Sequence, residues 1–279
     1  MQNILIAINV EKPEARSINF GCYLARLTHS RLTGIFLENL PVELPLVTQT
    51  YDTPFEEAID NDNMLETDFK LKTCADHIRA FKYICEKQGI DYQIHRDQGV
   101  AISELIAESR YADVIIIERS AFSSSLMDVP DGFVFIEDIL AKAECPILIS
   151  PHKFERLNEV LFAYDGNASS VFAIKQFTYL FPELKDARIT VLQVDKNAVF
   201  KEEQKEKLYE YLNAHYSHIN FRDLQGKPAD ELFNYTIPQD NVCMVMGAFG
   251  RSWLSRLFKN STADLLLQIN NLPVFITHR

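Results

Sequence analysis

Basic residues are the minority in this chain: 28 Lys and Arg stand against 39 Asp and Glu, for a net charge of −11. That balance excludes a broad nucleic-acid or acidic-membrane surface, since either needs clustered positive charge. One local basic pocket is still compatible with it. Glycine is scarce, with nine in 279 residues, and none falls in a G-x-x-x-x-G-K-[S/T] or G-x-G-x-x-G pattern. The P-loop and the dinucleotide fingerprint are thereby excluded. No G-x-S-x-G elbow is present either, which argues against a serine hydrolase of that type. No apolar run approaches the roughly 20 residues that cross a bilayer. Residues 3–8 are apolar, but too few for a signal peptide and without a basic leader. The five cysteines (Cys22, Cys74, Cys85, Cys145 and Cys243) are scattered and lack metal-type pairing. Free thiols in a reducing cytoplasm are expected.

What is present is ordinary globular material, 47% hydrophobic and 24% charged, enough to build two cores. The sequence also repeats itself. Asn3–Asn9 corresponds to Glu159–Asp165; each is a strand-like opening followed by an amphipathic stretch, near 14–28 and 168–180. Second strands follow at 31–36 and 188–194, then helical segments near 64–88 and 201–214. Third strands end in Arg96-Asp-Gln-Gly99 and Arg222-Asp-Leu-Gln-Gly226, and Glu104-Leu105 and Glu231-Leu232 open the next helices. Asp113–Ile117 matches Val242–Met246, and each half closes on a proline-led strand, Pro146–Ser150 and Pro273–Thr277. Near-continuous Val/Ile/Leu strands alternating with helices indicate a parallel sheet covered on both faces.

The expected fold is therefore α/β: two tandem doubly wound domains, each a five-stranded parallel sheet in order 3-2-1-4-5 with helices on both faces. Pro151 and the polar stretch after it place the junction so that the domains are 1–152 and 153–279. Residues 40–63 have no counterpart in the second half and read as a solvated loop.

Ligands of such sheets sit beyond the carboxyl ends of the strands where the order reverses. In the second half Asp165 ends the first strand and Gly247 ends the fourth, neighbours in that order. Gly247-Ala-Phe-Gly250 is followed by Asn260-Ser261-Thr262 and a helix-like run from Ala263. Glycines admit an anion to the backbone, and a helix start attracts it. Ordinary alternatives stand beside each residue: a turn and N-cap at Asp165-Gly166, loop glycines at Gly247 and Gly250, a plain cap at Ser261 or Thr262. Arg251, Arg256 and Lys259 add positive charge nearby, and solvated surface is the default for each. His215 and His218 are three apart at an expected helix end, with a surface or capping role favoured over metal.

The spacing Gly247-x2-Gly250-x9-Asn260-Ser261 is similar to the G-x2-G-x9-G-[S/T] nucleotide motif of the universal stress protein family. The text from Gly250 to Thr262 and from Leu272 to Ile276 resembles that family, and the likeness extends weakly over both halves. The chain thus resembles a tandem universal stress protein. The resemblance implies an adenine nucleotide in the C-terminal domain: ATP, with Mg²⁺ as its companion ion, or AMP in its place. Asp165 and Gly166 would lie beside adenine and ribose, Val194 against the adenine, and Gly247 at the ribose. Gly250, Asn260 and Ser261 would line the phosphates, and Arg251 and Thr262 join the candidate set by their place beside that loop. Asn260 departs from the family's glycine; asparagine tolerates left-handed backbone, but its side chain crowds a phosphate.

The first half departs further. Asn9 replaces the aspartate, Glu118-Arg-Ser-Ala121 replaces the G-x-x-G, and Asp128 and Asp131 follow. Carboxylates there repel phosphate, so this half is expected to be a non-binding partner. The resemblance further implies that the closing strands pair inside the chain as an intramolecular pseudo-dimer, with a homodimer left open. The function expected is a cytoplasmic stress-response regulator that binds nucleotide and an unknown protein partner. It is not an enzyme beyond slow ATP hydrolysis, and it uses neither nucleic acid nor membrane. A nucleotide-independent scaffold of the same fold is the alternative.

Overall fold

Alternation of buried β-branched strands with amphipathic helices gives the chain a ten-stranded sheet covered on both faces. The computed structural model describes residues 1–10, 14–37, 61–97, 101–117, 139–195, 200–236, 239, 241–247 and 272–277. In the first half β1 (Asn3–Asn9), α1 (Ala15–Thr28), β2 (Arg31–Leu37), α2 (Asn61–Gln88), β3 (Tyr92–Asp97), α3 (Ala101–Ser109), β4 (Val114–Ile117) and β5 (Ile147–Ile149) follow in turn. The second half repeats the series with β6 (Glu159–Tyr164), α4 (Ala168–Leu180), β7 (Arg188–Asp195), α5 (Glu202–Asn213), β8 (His218–Gln225), α6 (Pro228–Thr236), β9 (Val242–Gly247) and β10 (Val274–Thr277).

Strand order across the sheet is β3-β2-β1-β4-β5-β10-β9-β6-β7-β8. Each half therefore has the 3-2-1-4-5 order, and every strand pair within a half is parallel. The halves meet where β5 and β10 pair antiparallel, Val274 opposite Ile149 and Ile276 opposite Ile147. The closing strands are thus central, and the sheet's outer edges are β3 and β8.

Right-handed crossovers put helices on a face set by the direction of travel along the sheet. Residues of α1, α2, α4 and α5 (Phe20, Phe81, Phe177, Leu208 among them) share one apolar cluster with alternate strand residues such as Ile6 and Phe162. Leu105 of α3 and Leu232 of α6 belong to the cluster on the opposite face. Both clusters cross the seam, Leu148 and Phe275 on one side and Ile147 and Ile276 on the other. Phe275 packs edge-on against Phe177 at 5.2 Å, an aromatic contact that ties β10 to α4.

In the first half α1 lies directly on α2. Cys22 Sγ approaches Cys85 Sγ to 3.9 Å, the Gln88 amide donates to Asn19 Oδ1 at 2.8 Å, and Arg26 donates to Gln88 Oε1 at 2.9 Å. All five cysteines are buried, and none of them is in a disulfide. Burial pushes the Cys145 thiol up to about 12, with the negative charge of Asp113 adding to the effect. Among the described residues no helix is long and apolar enough to cross a membrane.

Candidate functional site

The strand order reverses between β6 and β9, which pair in parallel with Phe162 opposite Val245. Two residues beyond that register, Tyr164 and Gly247 close their strands at the same edge of the sheet. Asp165 and Gly166 follow immediately, and Gly166 takes the left-handed φ of 79° that a glycine accepts without strain.

Asp165 is exposed and turns back on its own loop. The Asn167 backbone amide donates to its Oδ1 at 3.0 Å, and the Asn167 side-chain amide donates to its Oδ2 at 2.9 Å. Such an Asx turn orders the approach to α4. Asn167, not Asp165, occupies the N-cap position, and it makes no side-chain cap bond. The first amides of α4 thus keep donor capacity at the edge where the helix dipole is positive.

Gly247 is held to glycine by its neighbour. A Cβ there would lie 2.6 Å from the backbone carbon and oxygen of Ser169. The end of β9 and the start of α4 are therefore in backbone contact, which narrows the crevice at the reversal point. Val194, the penultimate residue of β7, packs with the cluster that faces α6, on the side of the sheet away from α4. Burial pushes the Tyr164 phenol up, and the adjacent Asp165 charge acts in the same direction.

The structure thus gathers Asp165, Gly166 and Gly247 at one edge of adjacent strands, with Val194 one strand further on. Gly250, Arg251, Asn260, Ser261 and Thr262 lie outside the described residues, as do Glu118 to Asp131 of the first half. Asn9, the counterpart of Asp165, is 6% exposed and closes β1 opposite Leu37. Sequence reasoning missed the part played by Asn167: an Asp-x-Asn step before a helix was the available signal. His215 and His218 do not share a helix face, because α5 stops at Asn213 and His218 opens β8.

No protein-family model matches the chain. A universal stress protein of Synechocystis sp. is 30% identical over 169 residues, 58% of this chain and 56% of that protein. The chain therefore spans about half the length of this curated relative. The universal stress protein of Archaeoglobus fulgidus DSM 4304 superposes with a TM-score of 0.67 at 16% identity, over 99% of this chain and 98% of that one. A functionally unknown protein of Pseudomonas aeruginosa PAO1 follows with a TM-score of 0.54 at 16% identity, covering 100% of this chain and 92% of the other. At such identities the structural likeness speaks to fold, and it runs the length of both halves. By sequence over part of its length the chain is similar to a universal stress protein, and over all of its length it shares the α/β fold of another.

Proposed function

We propose that the chain is a cytoplasmic stress-response regulator that binds an adenine nucleotide in its C-terminal domain, 153–279. The N-terminal domain, 1–152, serves as a structural partner without a nucleotide motif. The observation that carries this reading is the reversal of strand order between β6 and β9, which sets the Asp165-Gly166 turn beside Gly247. The G-x2-G-x9-Asn-Ser spacing that starts at Gly247 supplies the phosphate loop.

In this reading Asp165 accepts hydrogen bonds from the nucleoside, exchanging those it now takes from Asn167. Val194 meets the adenine. Gly250, Arg251, Asn260, Ser261 and Thr262 hold the phosphates, with Mg²⁺ accompanying ATP. The motif offers no general base, so the ligand acts by being bound and any hydrolysis is slow. Isothermal titration with ATP and with AMP tests the reading. Wild type is expected to release or absorb heat with one nucleotide per chain, and Gly250→Asp to show none. Heat from neither nucleotide would sink it.

The scaffold alternative shares this fold, in which β5 and β10 pair with each other.

A further inference from the structure

The two copies of the fold differ where their first two helices meet. In the first half α1 packs on the C-terminal end of α2, joined by Cys22–Cys85, Asn19–Gln88 and Arg26–Gln88. In the second half α4 and α5 make far less direct contact, and an open groove of about 950 Å³ lies between them. That volume is at the upper end of what small-molecule sites use.

The groove follows α4 from Ala168 to Tyr179, about 16 Å at the helical rise. Four rings line it: Tyr164, Phe172, Tyr179 and Tyr211. Lys175 and Lys207 reach its rim. Lys207 is paired with Glu203 at 2.6 Å, whereas Lys175 has no acidic partner among the described residues. Among the described residues no aspartate or glutamate lines the groove, in a chain whose net charge is −11.

We propose that this groove is a binding site for a planar aromatic anion, an arene carboxylate or sulfonate. Its body would stack against Phe172, Tyr179 and Tyr211, and its charge would sit at Lys175. The groove borders the nucleotide crevice at Gly166 and the first turn of α4 and runs from there along α4. Val194, assigned there to the adenine, packs on the opposite face of the sheet from α4 and α5.

The fluorescent anion 8-anilinonaphthalene-1-sulfonate tests this on the full chain, with its uncharged relative N-phenyl-1-naphthylamine as control. Wild type is expected to bind the anion saturably, and the neutral dye at least tenfold more weakly. Lys175→Glu, an exposed position that leaves the core untouched, should weaken the anion at least tenfold. Val171→Trp, which fills the groove, should abolish binding while its circular dichroism melt stays cooperative; if it does not fold, Lys175→Glu decides. Saturating ATP should leave the dye in place, which keeps this test independent of the nucleotide reading. Absent binding, equal binding by Lys175→Glu, equal affinity for the neutral dye, or displacement by ATP would overturn the proposal. Loss of binding as protein concentration rises would also overturn it, since a second copy of the chain would then be the occupant.

Discussion

A Cβ on Gly247 would stand 2.6 Å from the Ser169 backbone, and backbone cannot swing aside as a side chain can. Gly247→Ala is therefore expected to destabilise the fold by about 1–3 kcal/mol, the usual cost of overpacking. A urea unfolding midpoint for the variant checks this, and an unchanged midpoint would contradict it. The sequence marked Gly247 for its place before a second glycine. It did not show that helix packing alone requires glycine there, because the contact joins residues far apart in the chain. A second residue effect is electrical. The Cys145 thiol is raised from 9.0 to about 12 by burial, so above pH 9 the unfolded chain sheds a proton that the folded chain keeps. Stability is fully present below pH 9 and falls between 9 and 12, by about 1.4 kcal/mol per pH unit for this group. Unfolding measured at pH 8 and pH 10 should show a steeper loss in wild type than in Cys145→Ala.

Strands were the most legible elements. Runs such as Val114–Ile117 and Val242–Met246 are apolar throughout, because a sheet covered on both faces buries every side chain of its central strands. The edge strand β8, by contrast, has mostly exposed or half-exposed residues, and it was placed by repeat matching rather than by pattern. The space between α4 and α5 left no trace in the sequence, since both helices carry a normal apolar stripe toward the sheet. Nor did composition reveal that β5 and β10 pair; that expectation came through the family likeness alone. Phe275 tests how much this pairing matters. It is fully buried, stands opposite Leu148 across the seam, and packs against Phe177 and Phe181. Phe275→Ala is expected to cost about 3–5 kcal/mol. A loss under 1 kcal/mol by chemical denaturation would mean that the seam is loosely packed.

At the scale of the molecule, the duplicated order 3-2-1-4-5 was readable from the alternation of strands and helices and the matched closing prolines. The continuous sheet built from the two copies was less so. Apolar clusters run through the seam on both faces, so the two halves should unfold together. Calorimetry of the full chain is expected to give one transition, and two resolved transitions would contradict a shared core. Duplication also frees one copy to diverge. The first half buries Asn9 where the second exposes Asp165, and it closes the helix gap that the second leaves open. The account's central claim is that nucleotide binds at one reversal point and not at the other. Amide hydrogen exchange with and without ATP addresses it most directly. Protection is predicted in peptides covering Asp165–Ser170 and the stretch from Gly247 to Thr262, with exchange around Asn9–Phe20 unchanged. Equal protection in both halves, or none in either, would contradict it.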